Sequence, residues 1–473
     1  MVFSSITFLL YFLPIAMAAY FFTRYRNTVL LFFSLVFYAW GELHYLPLLI
    51  FYIVFNYAWG LLLAARPQAK ALLVVGVLVN LGLLLHYKYV GFLLTQLNWP
   101  LAAMGAGSFA VPSIALPLGI SFFTFQGISY LVDIHRGDVQ AQRNPIDFAM
   151  YKAMFPQLIA GPIVRYKSIA ARVKQRRISA FRLRFGVQLF IIGLGQKVLI
   201  ANSLALPVDQ IYALPAAELT MATAWLAAIG YTLQIFFDFA GYSNMAIGLA
   251  HMMGFSFPRN FNRPYAAQSI TDFWRRWHMT LSAWFRDYVY IPLGGNRGGG
   301  GTTARNLMIV FVLCGFWHGA AWTFLAWGVL HGLALMAERG RLGRMVARLP
   351  RPGQHAYVLL LVVLAWVLFR AESLEQAAQV LAAMAGFAPG ESLATPLARY
   401  LDLQVAIALV MGSILAVAWL PRGRRWLPQA PASSPVLALG RDLAVYLSLL
   451  LVLAASVAVV ASGAYNPFIY YRF

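Results

Sequence analysis

Apolar runs long enough to cross a bilayer recur from one end of the chain to the other, and the loops between them are short. A helix needs about 20 apolar residues to span the hydrocarbon core. Spans are expected near 5–22, 28–42, 46–65, 70–88, 115–133, 184–204, 220–250, 304–318, 320–337, 356–370, 402–420 and 442–463. This pattern predicts an all-α polytopic membrane protein of about 11–13 spans. Composition agrees: a soluble domain is roughly 25% charged, whereas this chain is 11% charged and 61% hydrophobic, with a mean hydropathy of +0.70. No polar stretch is long enough for a separate soluble domain, so residues 1–473 read as one integral-membrane domain.

The net charge of +21 invites a nucleic-acid reading. The basic residues instead cluster in short loops: Arg24/Arg26, Arg66/Lys70, Arg165 through Arg184, Arg339 through Arg351, and Arg422/Arg424/Arg425. That is the positive-inside pattern, and it excludes nucleic acid as the explanation. With these loops in the cytoplasm the spans alternate correctly, both termini lie outside, and loops 90–112, 206–218 and 371–400 face out. The first run has no basic residue before it and no small-residue cleavage site, so it is expected to stay as a span. Cys314 is the single cysteine, which excludes an intramolecular disulfide and a cysteine-based zinc site.

Two segments do not fit simple spans. Phe155-Pro156-Gln157-Leu158-Ile159-Ala160-Gly161-Pro162 interrupts an apolar stretch with two prolines and a glycine, and basic residues flank it on both sides. It is expected to enter and return, covered by protein or lining a wet cavity. Over Asp272–Tyr290, Phe273, Trp277, Leu281, Trp284 and Tyr288 recur at helical spacing, with Arg275, His278, Ser282 and Arg286 opposite. This predicts one amphipathic helix lying at the cytoplasmic interface or dipping in, rather than a lipid-exposed span.

His318 lies in an apolar stretch whose nearest charges are Arg305 and Glu338. An ionisable side chain at membrane depth is costly, which marks it as a candidate functional group. Burial disfavours the imidazolium, and a neutral imidazole is what a general base requires. A core histidine bonded to a backbone carbonyl is the bland alternative. His278 is either a second functional histidine or one more polar residue on an interfacial helix. His331 is either a partner behind His318 or a packed core residue. His44, His86, His135, His251 and His355 read as interfacial or hydrogen-bonded histidines. With no His-Glu-x-x-His, no cysteine pair and few carboxylates in apolar runs, no metal site is expected. Cys314, one turn before His318, reads as packing. The run Gly294–Thr303 lacks a P-loop ending and reads as a hinge.

Six motifs carry a resemblance. Asp272-Phe273-Trp274-Arg275-Arg276-Trp277-His278-Met279-Thr280-Leu281-Ser282 is similar to the signature helix of the membrane-bound O-acyltransferases (MBOAT), and Gly315-Phe316-Trp317-His318-Gly319-Ala320 to their histidine motif. Ile291-Pro292-Leu293-Gly294-Gly295-Asn296-Arg297 resembles the bacterial, alginate O-acetyltransferase-like branch, as do Leu116-Pro117-Leu118-Gly119-Ile120-Ser121-Phe122, Ile159-Ala160-Gly161-Pro162 and the ending Pro467-Phe468-Ile469-Tyr470-Tyr471-Arg472-Phe473. Ala240 and Asn244 stand where the family motif usually has Ser and Asp.

The resemblance implies a single helical bundle over 1–473, its catalytic core over about 115–337, with re-entrant and interfacial helices and a central funnel at the histidine. It implies an acyltransferase of the bacterial inner membrane that takes acetyl from cytoplasmic acetyl-CoA, without a bound cofactor, for O-acetylation of an exported polysaccharide. The chain has no Gly-x-Ser-x-Gly elbow, so an extracytoplasmic SGNH-type acetyltransferase is the implied partner for the last transfer. His318 and His278 would be catalytic. Arg275, Arg276, Trp277, Ser282, Arg286 and Asn296 would bind the donor, with Asp238, Tyr242, Trp317 and His331 in support. Alginate, cellulose, another exopolysaccharide and peptidoglycan are the open acceptors. D-alanyl transfer to a cell-wall polymer, non-catalytic polymer or acyl transport, and a scaffold for a secretion complex are the alternatives.

Overall fold

A peptide group in hydrocarbon finds no water, so each apolar run satisfies its backbone internally as a helix. The computed structural model describes residues 1–387, 397–417 and 435–469, and every regular element among them is helical. After a π-helical turn at Thr7–Phe12 come α1 (Leu13–Phe22), α2 (Arg26–Glu42), α3 (Leu46–Ala65), α4 (Lys70–Ala103) and α5 (Ile120–His135). The short helices α6 (Pro145–Ala153), α7 (Phe155–Leu158) and α8 (Tyr166–Lys174) lead to α9 (Ala180–Gly195) and α10 (Asn202–Tyr212), which are joined by a π turn at Gln196–Ala201. The long α11 (Met221–Met252), the short α12 (Ile270–Arg276) and α13 (Met279–Phe285), then α14 (Gly299–His318) and α15 (Trp322–Glu338) form the centre. α16 (Arg341–Arg348), α17 (Arg351–Arg370), α18 (Leu374–Met384), α19 (Leu403–Val417) and α20 (Pro435–Ala461) complete the chain.

Each expected span holds a helix over most of its described residues, but the one expected from 115 begins only at Ile120 and the one expected from 320 only at Trp322. Arg422, Arg424 and Arg425, and residues 470–473, lie outside them. Five segments are long and apolar enough to cross a membrane by length and composition: Arg26–Ala65, Lys70–Ala103, Ala180–Tyr212, Arg351–Arg370 and Gly440–Ala461. α11, α14 and α15 are not among these. α11 is buried along most of its length, where polar residues are tolerated, while α14 and α15 pack on each other with one face exposed at Leu313, Trp322 and Leu333. The termini share one face, where Ser4 Oγ donates to Asn466 Oδ1 (3.2 Å) and Asn466 Nδ2 donates to the Ser4 carbonyl (2.9 Å). The loops carrying Arg24/Arg26 and Arg176 meet at the other end of α1, where Arg176 donates to Tyr20 Oη (2.7 Å) and to Asn27 Oδ1 (2.6 Å), and form an arginine-rich face.

α9 and α11 pack backbone to backbone. A Cβ at Gly193 would lie 2.5 Å from the Gly241 carbonyl oxygen, and one at Gly248 would lie 2.6 Å from that of Gly186. Small residues spaced along both helices permit this approach, the usual means of gripping a helix where lipid offers no hydrophobic drive. The re-entrant reading of 155–162 agrees with the structure: α6 and α7 fold back as short pieces, and Phe155–Pro162 is buried throughout.

Two expectations need correction. α4 does not end near residue 88 but runs to Ala103, and its 34 residues make a rod roughly 51 Å long at 1.5 Å per residue. Lys88, at the expected end, instead turns its side chain inward and bonds two carbonyl groups of α14. Nor is Asp272–Tyr290 one helix. It is broken at Trp277–His278 into α12, α13 and a π turn at Arg286–Tyr290.

Candidate active site

α14 starts at the arginine-rich face and ends on His318, which is 7% exposed. Close packing against α15 fixes that end. A Cβ on Gly315 would sit 2.3 Å from the Phe324 carbonyl oxygen, and one on Gly328 would sit 2.3 Å from that of Phe311. The His318 ring lies edge-on among Trp317, Trp327 and Phe369, with centroids 4.9, 5.2 and 5.1 Å away.

His278 faces it, the two ring centroids 6.5 Å apart. The apolar period of 272–290 would have left His278 on the polar face of a continuous helix, yet it is fully buried. The break turns it in. Trp277 is extended and His278 is left-handed (φ 40°, ψ 52°), a conformation non-glycine residues seldom adopt and one that clusters at functional sites. Backbone bonds to the preceding loop replace those the helix loses: Met279 N–H donates to the Asn260 carbonyl and Asn262 N–H to the Arg276 carbonyl, each at 2.9 Å.

Asn260, which sequence reading missed, organises the turn. It is buried, and its Oδ1 accepts from Thr280 Oγ1 (2.8 Å) and lies 3.1 Å from His278 Nδ1. Its Nδ2 donates to Ser243 Oγ (3.1 Å) and to the Gly161 carbonyl (3.4 Å), which ties in the re-entrant segment. With Oδ1 acting as acceptor, the proton on this side of the imidazole belongs to Nδ1. That fixes the tautomer and leaves Nε2 as a lone pair. Nε2 of His278 and Nε2 of His318 are both buried without a hydrogen-bond partner among the described residues. No periodicity signals Asn260; only its place in Pro258-Arg259-Asn260-Phe261-Asn262, beside the signature segment, hints at it.

Cavities approach the pair from both sides. Toward the arginine-rich face, a cavity of about 280 Å3 is lined by Arg275, Ser282, Arg286 and Arg339 at its polar end and by Phe311 and Cys314 at its depth. On the other side, a cavity of about 50 Å3 lies between Lys88, Leu116–Phe122, Trp317 and His318. A void of about 10 Å3 holds His278 and His318 together, closed by Phe239, Trp277, Phe369 and Ile469. Three chambers lie along the expected central funnel. The largest of them stops at Cys314, one helical turn short of His318.

The sequence candidates divide accordingly. Arg275, Ser282 and Arg286 come together at the larger cavity. Arg276 does not: its Nε pairs with Asp272 at 2.9 Å, one turn back on α12. Arg339, not foreseen, lines the mouth. Asn296 is exposed and accepts from Tyr290 Oη, and it is Tyr290 that reaches the cavity. Trp277 packs on Trp366 (4.9 Å) and walls the histidine void. His331 accepts from Trp274 Nε1 (3.3 Å) and backs Trp327 (4.9 Å), which separates it from His318. Asp238 forms a buried ion pair with Lys197 (2.5 Å) and accepts from Ile469 N–H (3.1 Å), so it positions the residue that closes the void. Tyr242 stacks between Phe3 (4.5 Å) and Phe468 (5.1 Å), away from the histidines. Cys314 is buried in the cavity wall.

The mouth is held by Glu338. Its carboxylate accepts from Ile270 N–H (2.5 Å), Thr271 N–H (2.9 Å) and Thr271 Oγ1 (2.8 Å), and so caps the N-terminus of the helix carrying Arg275. A Glu338→Ala variant is expected to lose about 1 kcal/mol of stability. It should also weaken whatever the arginines bind, which thermal unfolding and ligand titration would read.

Two buried imidazoles whose Nε2 atoms have no hydrogen-bond partner among the described residues, one at the end of α14 and one at the start of α13, lie between a cationic cavity and a polar one and suit proton transfer to and from a hydroxyl and a leaving group. Residues 139–373 match the family model described as "MBOAT, membrane-bound O-acyltransferase family". The chain is 42% identical to the "Probable alginate O-acetylase" of Azotobacter vinelandii and 40% identical to that of Pseudomonas aeruginosa, in each case over 100% of both chains. It is 37% identical to the "Peptidoglycan O-acetyltransferase" of Helicobacter pylori, over 82% of this chain and 80% of that protein.

Proposed function

From its place in the membrane-bound O-acyltransferase family, to which this chain belongs, we propose that it moves acetyl from acetyl-CoA at the arginine-rich face to the opposite side for O-acetylation of an exported polysaccharide. The observation that carries this is the facing pair His278 and His318, 6.5 Å apart, between a cavity rimmed by guanidinium groups and one that opens away from it. The relatives named for alginate favour a polyuronate exopolysaccharide as the final acceptor over peptidoglycan.

In this reading the basic loops are cytoplasmic, the protein sits in the inner membrane, and both termini are periplasmic, as the distribution of charge favours. Arg275, Arg286 and Arg339 take the donor's phosphates, since planar guanidinium binds them bidentately. The apolar depth of about 280 Å3 suits the slender thioester arm rather than the nucleotide. To react, the arm parts the side chains between Cys314 and His318. His318 removes the proton from an acceptor hydroxyl, the oxygen attacks the thioester carbonyl carbon, and the C–O bond forms as the C–S bond breaks. The proton passes to the departing sulfur, with His278 Nε2 on the donor side. An extracytoplasmic SGNH-type acetyltransferase would complete delivery to the polymer.

The test uses detergent-purified full-length protein and radiolabelled acetyl-CoA, following CoA release and label transfer. Charge-assisted hydrogen bonds contribute about 1.5–3 kcal/mol each. Replacing Arg275, Arg286 and Arg339 together by Gln is therefore expected to raise the donor KM about 10-fold or more, with kcat little changed. An unchanged KM would remove the arginines from the donor site. Transport without bond-making predicts no CoA release from the wild-type protein.

A further inference from the structure

The last carbonyl groups of a helix have no partner within it, and buried ends must find one elsewhere. α14 ends inside the bundle on His318. The N–H of Gly319 donates to the Gly315 carbonyl, and the three carbonyls that follow are taken by two consecutive side chains of α4. Tyr89 Oη donates to Phe316 O at 2.7 Å, and Lys88 Nζ donates to Trp317 O at 2.6 Å and to His318 O at 3.0 Å. The Tyr89 ring stacks on Phe316 with centroids 4.1 Å apart. A cation at a helix C-terminus also meets the negative end of its dipole.

This clamp comes from a helix more than 220 residues away in sequence. Lys88 makes no ion pair among the described residues, so its charge is not held in place by a carboxylate. An ammonium has three donors; two are on α14, and the third remains for the cavity that Lys88 lines together with His318. Keeping a lysine at this depth is costly. The bonds it makes all fall on the residue carrying the imidazole and the residue before it.

We propose that Lys88 is a positioning residue for the transfer: by binding the carbonyl groups of Trp317 and His318 it holds the end of α14, and with it the His318 imidazole, in register with His278 and the acceptor-side cavity. The inference rests on the acyltransferase reading above. Tyr89 is the neutral half of the same clamp and contributes less, since hydrogen bonds to charged groups are the stronger ones.

The test compares Lys88→Met, Lys88→Arg and Tyr89→Phe with the wild-type protein and His318→Ala, as full-length chains purified in detergent and normalised by monodisperse, folded protein. CoA release from acetyl-CoA should fall 10-fold or more in Lys88→Met, with the donor KM within about two-fold of wild type. Lys88→Arg, which can bond the same carbonyls, should return to within a few-fold of wild type, and Tyr89→Phe should lose only a few-fold. Wild-type turnover in Lys88→Met, or a folded Lys88→Arg as inactive as Lys88→Met, overturns the proposal. If Lys88→Met does not fold, a folded Lys88→Arg as inactive as His318→Ala overturns the proposal.

A second readout needs no turnover. In protein labelled with 15N-histidine, the imidazole signals of His318, assigned by their loss in His318→Ala, should be sharp in wild type, broadened or split in Lys88→Met, and restored in Lys88→Arg. Unchanged His318 signals in Lys88→Met overturn the clamp even if activity falls. Should the wild-type protein release no CoA, the acyltransferase reading fails, while these signals still decide whether Lys88 holds the ring.

Discussion

Replacing His318 by alanine is expected to leave a folded, membrane-inserted protein whose acetyl transfer has fallen by about 10²–10⁴-fold, the usual worth of a general base. Stability should suffer less than activity. The lost ring packs against Trp317, Trp327 and Phe369, but its Nε2 bonds nothing among the described residues, so no buried partner is left unsatisfied. The cavity left behind is expected to cost about 2 kcal/mol. The measurement pairs CoA release from purified protein with the acetyl content of the exported polymer by NMR. Near-wild-type values for both would end the assignment of His318 as base.

The second large effect is expected at Gly315, where no chemistry is removed. Valine there places a Cβ 2.3 Å from the Phe324 carbonyl oxygen and 3.3 Å from the Gly328 Cα. Both neighbours are backbone and cannot rotate away, so α14 and α15 must separate. Overpacking typically costs about 1–3 kcal/mol, and a backbone-limited site belongs at the upper end. The Gly315→Val variant should therefore unfold at a lower temperature. It should also lose most of its turnover while still folded, because His318 lies one turn further along the displaced helix. Gly300→Ala, on the same helix but in open space, serves as the control and should change neither. A Gly315→Val protein with wild-type stability and rate would contradict the close packing described above.

The spans were legible because hydropathy alone decides whether a 20-residue stretch can sit in lipid, and His318 was legible because an ionisable group is conspicuous there. What escaped was set by tertiary pairing. The span through Lys88 was expected to end there, and only the carbonyl groups of α14 show what a charged residue inside that helix binds. The apolar period from Phe273 to Tyr288 is unbroken in sequence, so the break at His278 had no periodic signature; it comes from the loop strand at Asn260–Asn262. Arg276 and Arg339 exchanged roles for the same reason. Helical spacing put Arg276 near the right face, but Asp272 claims it, while Arg339 reaches the cavity from the end of another helix. Asp238 stood out as a buried acid, and its counter-charge, Lys197, came from a π turn on a different span.

The left-handed backbone at residue 278 complicates how mutants there are to be interpreted. Alanine at that position removes the imidazole and also pays for a φ of 40°, so a dead His278→Ala enzyme confounds chemistry with refolding of the local chain. Asparagine tolerates positive φ far better than alanine. His278→Asn is thus the cleaner probe, and a gap between the two variants would measure how much of the site's competence is stored in its main chain.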